Sequence, residues 1–357
     1  MFIYAPSYLE PDCHAMKTIE DLKHYFERDL KAQLNSLEAK RLQVVNRYSF
    51  KPYKRFLKIA GLLCVASIVL AINLPETFRL APIVIPVCIV IAIVHPLVIL
   101  YKRSTHFERV NKECKESIVP KLLKFIDPEM SYHPEKGMAR EDFNNCSLFT
   151  RKQLSSYLSD DLIEYKVGDT SIQIAHVVAS VPGNKSKGQS SGSYEVFSGL
   201  FTRTHYPIGS QADIIVKKDA RNNMLANAGK AVFGDALGGL IDTVVTKVEA
   251  LNITGDLVKF DDLDFEAQFN VYCSEPDTAK RILHDKVRKV VTAYAKQNNQ
   301  DVHFSFTSNH LNIAFWCSKY FEWETNDSFL DFEKFKAFLF PLLLSVDLVN
   351  TLVQEKR

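Results

Sequence analysis

Cysteine is sparse and never paired along this chain: Cys13, Cys64, Cys88, Cys114, Cys146, Cys273 and Cys317 stand singly, with no CxxC among them. An odd, unpatterned set of seven argues against a disulfide framework or a structural zinc site and suits a reducing compartment. An excess of charge is missing too. The 44 Lys and Arg against 42 Asp and Glu leave a formal charge of +2, which carries no electrostatic signature for nucleic acid. The opening MFIYAPSYLEPD has no basic n-region, so no secretory signal is expected.

Motifs of catalysis are equally scarce. The 10 His are dispersed, without HExxH or H-x-E…C-x-x-C spacing, and no GxSxG elbow or Cys with a local His partner occurs. The stretch NAGKAVFGDALGGL (Asn227–Leu240) fails as a phosphate loop, because Ala231 follows Lys230 and no Gly stands five residues before Gly229. Its Gly234 and Gly238 form a GxxxG outside any long apolar segment, which reads as a glycine-weakened helix or linker packed on the sheet. In SDDL (Ser159–Leu162) adjacent carboxylates on a strand would face opposite ways, so a turn or helix cap is expected there. DDLDFE (Asp261–Glu266) and HFERVNKE (His106–Glu113) read as solvated faces. No catalytic, cofactor-binding or metal-ligating residue is assigned, and no cofactor is implied.

What the chain does have is two long oily runs. Leu80–Tyr101 spans 22 residues with His95 as its one group able to charge near neutral pH, enough to cross a hydrocarbon core of roughly 30 Å as a helix. Ile59–Leu74 has 16 residues and reaches that length if Phe56 and Leu57 join it while Lys58 snorkels. The five residues Pro75–Arg79 between them then form the turn of a transmembrane hairpin, 56–74 and 80–101. Lys51, Lys54, Arg55 and Lys58 precede the pair and Lys102 and Arg103 follow it, which by the positive-inside rule puts both long ends in the cytoplasm. Pro82, Pro86 and Pro96 are expected to bend the second helix, and His95 reads as a neutral side chain bonding backbone freed by Pro96. Two helices without polar faces make an anchor and a poor pore.

The hairpin divides the 357 residues into a helical segment (1–55), the membrane pair (56–101), a juxtamembrane helix (102–127) and a cytoplasmic domain (128–357). Apolar positions at Ile19, Leu22, Phe26, Leu30, Leu34, Leu37, Leu42 and Val45 mark one stripe of a helix opened by the capping box TIED (Thr18–Asp21) and ended before Pro52. Phe107, Val110, Cys114, Ile118, Leu122 and Phe125 repeat the stripe, with a kink at Pro120. The two stripes either pair as an antiparallel stalk or pack on the domain. Period-two patterning over IEYKVG, SIQIAHVVASV, YEVFSGLFTRTH and ADIIVKK predicts strands, with PGNKSKGQSSGS (Pro182–Ser193) as a solvated hairpin tip. A helix from Phe233 to Val248, strands at DLVKF and AQFNVYC, one helix over Asp277–Gln297, a hairpin from VHFSFTS to HLNIAFW, and a core helix Asp331–Val353 follow. The fold class is α+β: an N-terminal amphipathic helix, a two-helix transmembrane hairpin, and a soluble domain with a largely antiparallel sheet and flanking helices.

Five blocks in order, Ser131–Phe149, Tyr157–Val177, Val196–Phe201, Phe265–Leu283 and Phe304–Phe315, resemble the bacterial family catalogued as domain of unknown function 3137. The resemblance implies a bacterial inner-membrane protein with a helical start, two membrane helices and this soluble domain. It implies partners among membrane proteins, those of the LemA family in particular, and brings no reaction or catalytic residue.

Within VFSGLFTRTHY, Gly199 interrupts an aromatic strand where a bulge or a close backbone approach is usual. Arg203 and His205, with Lys217 and Lys218 on a neighbouring predicted strand, are candidates for a basic rim that meets anionic lipid headgroups or a partner. Two functions remain open. One is a membrane-tethered binding or scaffolding protein, with oligomers possible through the amphipathic helices. The other is an enzyme acting on a membrane-proximal substrate through a site that spacing does not reveal.

Overall fold

The computed structural model describes residues 18–49, 55, 58, 61, 62, 65, 81–149, 153–183, 192–218, 255–297, 301–317 and 320–354. They belong to two compact units. Met1–Leu22, Val119–Phe321 and Glu333–Arg357 form one, and Lys23–Ile118 with Glu322–Phe332 the other.

The smaller unit is helical. Thr18 caps the first helix by accepting from Asp21 N–H at 3.1 Å, while Asp21 Oδ2 accepts from Thr18 N–H at 2.9 Å. Helix α1 (Ile19–Tyr25) passes through a π-helical turn, Phe26–Leu30, into α2 (Lys31–Arg47). That local underwinding, which period reading does not resolve, keeps Phe26, Leu30, Leu34 and Leu37 on one buried stripe. Helix α3 (Ala81–Ser117) holds Pro82, Pro86 and Pro96 and continues without a break from the second oily run into the basic segment that follows it. The stripes of α2 and α3 pair antiparallel: Tyr48 stacks on His106 with centroids 5.2 Å apart, and Lys40 pairs with Glu113 at 2.5 Å. Phe107, Val110 and Cys114 are buried, so HFERVNKE is half of a helix seam, not a wholly solvated face.

A third strand of chain completes this unit. Residues 322–332 lay Phe329 against Phe107 at 6.3 Å and Phe332 against Phe26 at 5.3 Å. Glu38 holds Arg41 at 2.6 Å and accepts from Phe329 N–H at 3.0 Å, and Arg41 donates to the Thr325 carbonyl at 2.8 Å. Pairing of the stripes alone would leave their outer rim wet; this segment dries it.

The larger unit is built on a nine-stranded antiparallel sheet in the order β1-β2-β3-β4-β9-β8-β5-β7-β6. The strands are β1 (Ser131–His133), β2 (Ser156–Val167), β3 (Thr170–Pro182), β4 (Ser193–His205), β5 (Ile214–Lys218), β6 (Asp256–Val258), β7 (Phe269–Cys273), β8 (Val302–Phe306) and β9 (His310–Trp316). Its helices are α4 (Val119–Ile126), α5 (Arg140–Asn144), α6 (Leu263–Glu266), α7 (Pro276–Ile282), α8 (Asp285–Gln297) and α9 (Phe332–Gln354). Pro120 lies in the first turn of α4, where its missing N–H costs no bond. The fold is thus α+β with a large antiparallel sheet.

Three sequence expectations change. SDDL is neither turn nor cap but part of β2, where the register slips between Asp160 and Ile163. The bulge puts Asp161 at φ 54°, fully buried, accepting from the Tyr132 hydroxyl, while Asp160 meets His176 Nδ1 at 3.0 Å. Asp277–Gln297 is two helices: the chain turns at Leu283, whose side chain is buried and whose carbonyl accepts from Arg288 at 2.6 Å. DDLDFE is engaged, since Asp262 caps α6 by accepting from Phe265 N–H at 3.0 Å and pairs with Arg288 at 3.2 Å. Burial pushes the Asp262 carboxyl up, but the Phe265 N–H and Arg288 hold it below its ordinary value.

One helix among the described residues is long and apolar enough to cross a membrane by length and composition, and it is α9. Its most apolar stretch is 67% buried, and its Ser345 hydroxyl meets Thr202 of β4 at 2.8 Å. It is the core helix expected over Asp331–Val353. The first oily run and the turn Pro75–Arg79 lie outside the described residues except for isolated positions, as do the Phe233–Val248 segment with its GxxxG and most of the Pro182–Ser193 tip.

Candidate functional site

One face of the sheet carries the aromatic positions of β4. Strand alternation puts Phe197 and Phe201 on that face beside Ala175 and Val177 of β3 and Ala314 of β9. Gly199 lies between them and allows β9 to approach: a Cβ there would meet the Phe315 carbonyl oxygen at 1.8 Å. The close backbone approach suggested by the aromatic strand is therefore real.

The segment from Met138 to Leu154 lies on this face. Phe143 of α5 stacks on Phe149 at 4.9 Å and meets Phe201 edge-on at 5.1 Å, and Trp316 closes the cluster against Phe197 at 5.0 Å. Polar groups pin the segment further along. The Cys146 carbonyl accepts from the Ser305 hydroxyl and from Asn312 Nδ2 at 3.4 Å. Arg203 donates to the Asp142 carbonyl at 3.0 Å and to Asn312 Oδ1 at 3.1 Å, with its Nε 3.4 Å from the Asp142 carboxylate.

A cleft of about 710 Å³ opens in the segment so held. Its rim carries Glu141 and the exposed amides of Asn144, Asn145 and Gln153, over a floor that includes Phe143 and Phe149. Arg140, also on the wall, is committed to the Leu154 carbonyl at 2.6 Å. Cys146 and Ser147 also line the cleft, and burial pushes the Cys146 thiol up to about 11, so it is protonated at neutral pH. Uncharged amides that donate and accept suit holding a polar ligand; they do not suit moving protons.

The four basic residues expected to share a rim are not on neighbouring strands. Two strands, β9 and β8, separate β4 from β5, so the pairs stand roughly 14 Å apart at about 4.8 Å per strand. Alternation sends Lys217 and Lys218 to opposite faces, each only 7% exposed, and burial lowers the pKa of both. Arg203 is spent on Asp142, with 11% of its side chain exposed. His205 alone of the four is exposed, and its ring lies 5.7 Å from that of His310 on β9. Spacing along the chain gave no sign of this pair, because two strands in register create it.

The charges that sequence expects to flank a membrane belong to the smaller unit. Lys102 is exposed, and Arg103 donates to Asn326 Oδ1 at 3.2 Å. Arg55 and Lys58 are described as exposed helical positions, and Lys54 lies outside the described residues. Just before Lys102, Val94, Leu97, Val98, Leu100 and Tyr101 are 42% to 72% exposed, so α3 carries uncovered apolar side chains along this stretch.

No curated protein and no solved structure matches the chain. Residues 195–354 match the family model described as Protein of unknown function (DUF3137), a span that runs from β4 to the end of α9. Three of the five sequence blocks lie inside it; Ser131–Phe149 and Tyr157–Val177 precede it. Over β4 to α9, the chain resembles the DUF3137 family.

Proposed function

We propose that the protein is a membrane-anchored binding or scaffolding protein with its sheet domain in the cytoplasm, and that it is not an enzyme. The observation that supports this most directly is the uncovered apolar stretch of α3 from Val94 to Tyr101. A helix that leaves Leu97 58% and Leu100 48% exposed, and that begins inside an oily run, has an apolar surface that water disfavours by roughly 25 cal/mol per Å². A bilayer is the solvent that removes this cost, and Lys102 and Arg103 stand where headgroups would lie. The contrast with α9, whose apolar side chains are buried, supports the assignment.

The finer reading is a hairpin of 56–74 and 80–101 in a bacterial inner membrane, with both long ends on the cytoplasmic side. The amide-lined cleft supports binding over catalysis, because its thiol, Cys146, is held protonated. An enzyme would need an ionisable group poised near neutrality there. Tethering the domain raises its effective concentration for partners in the same membrane, of which LemA-family proteins are the first to test.

Alkaline carbonate extraction of membranes tests the proposal. The full chain is expected to stay with the bilayer, and a chain lacking residues 56–101 is expected in the supernatant. Full-length protein released by carbonate would end the reading.

A further inference from the structure

We propose that His205 and His310 form a two-histidine site for a first-row transition ion such as Zn²⁺. The two lie directly opposite each other on β4 and β9. One residue further along, Tyr206 N–H donates to the Asn309 carbonyl at 2.8 Å, which makes Tyr206 and Asn309 a hydrogen-bonded pair of the ladder. His205 and His310 are therefore a non-hydrogen-bonded pair, the kind whose Cα atoms approach to about 4.5 Å and whose side chains lie closest.

Their ring centroids are 5.7 Å apart and their planes nearly perpendicular. Two imidazoles sharing one tetrahedral ion at about 2.1 Å per Zn–N bond have centroids roughly 5 Å apart, so a small adjustment of side-chain torsions closes the gap. Neither ring is fastened elsewhere by a hydrogen bond among the described side chains, and His205 opens the pair to solvent. Arg203 repels positive charge at His310, and Asp142, 3.4 Å from its Nε, offsets part of that repulsion. No group of three or more His, Cys, Asp and Glu gathers among the described residues, so solvent completes the coordination shell. Such a shell predicts moderate, exchangeable binding that crosslinks β4 to β9 at the end of the sheet where the β8–β9 hairpin turns.

Calorimetric titration of Zn²⁺ into the untagged full chain in detergent micelles tests the assignment. One ion per chain is expected, with Cu²⁺ binding more tightly than Zn²⁺. His205→Ala and His310→Ala should each weaken binding about tenfold or more. His133→Ala, which removes an imidazole beside Glu164 on a distant strand, should leave the affinity unchanged. The melting temperature of the unsubstituted chain should rise with Zn²⁺ and that of His205→Gln should not. His205 is exposed, so its variant folds whether or not His310→Ala does. Absence of saturable binding, or equal affinity in the unsubstituted chain and His205→Gln, overturns the proposal.

Discussion

Arg203 on β4 is joined to Asp142 on α5 through both its ends of charge and its backbone: the guanidinium approaches the carboxylate at 3.4 Å and donates to the Asp142 carbonyl at 3.0 Å. The contact ties the segment that carries the cleft to the sheet beneath it. A residue that the sequence offers as a candidate for a lipid- or partner-facing rim holds this segment to the sheet.

The clamp is asymmetric, and that is testable. Arg203→Ala removes the ion pair and also strands the Asp142 carbonyl and Asn312 Oδ1, so a loss of about 2–4 kcal/mol is expected. Asp142→Ala should cost less, because its carboxylate is 38% exposed and its backbone carbonyl still receives Arg203. Urea unfolding of the two variants checks the order; equal losses would show that the carboxylate alone matters.

Gly199 makes a sharper demand. A methyl group 1.8 Å from the Phe315 carbonyl oxygen cannot be accommodated without parting β4 from β9. Gly199→Ala is expected to lower stability by about 2 kcal/mol or more. A thermal melt within a degree or two of the unsubstituted chain would contradict the close approach.

Asp347 on α9 predicts a pH dependence. Burial raises its carboxyl to about 6, only partly offset by the hydrogen bond from the Tyr294 hydroxyl on α8. Between about pH 4 and pH 6 the folded chain keeps a proton that the unfolded chain has released, so this group's contribution to stability falls as pH rises through that window. Above it the cost of ionising a buried acid is fully present. Asp347→Asn should flatten the acid side of the profile and add about 1–3 kcal/mol at pH 7.5, while Tyr294 still donates to the amide oxygen. Urea midpoints at pH 5 and 7.5 decide it: an unchanged difference between the two would remove Asp347 as the cause.

Much of this architecture was legible because it is written locally. Period two over SIQIAHVVASV and YEVFSGLFTRTH gave β3 and β4, and TIED gave the cap that Thr18 and Asp21 form. What local pattern could not carry was partnership at a distance. The residues that dry the helix seam, Trp323 to Phe332, come from just before the last helix, and nothing in their spacing points back to Phe26 or Phe107. The split at Leu283 escaped because Ala, Lys, Arg and Ile around it are good helix formers, and the turn is held by Arg288, five residues on. The cleft and the His205–His310 pair escaped for the same reason: a strand order of β4-β9-β8-β5 is set by non-local pairing, and it decides which side chains become neighbours.

The central claim is that the exposed apolar stretch of α3 around Leu97 lies in lipid. A nitroxide placed at Leu97→Cys, on a chain whose native cysteines are replaced by Ser and which is reconstituted into vesicles, reports the solvent around that side chain directly. The account predicts frequent collision with oxygen and little with a water-soluble nickel chelate, with the preference reversed for a label at Lys112, in the basic half of the same helix. A label at Leu97 that the chelate reaches as readily as one at Lys112 would contradict it.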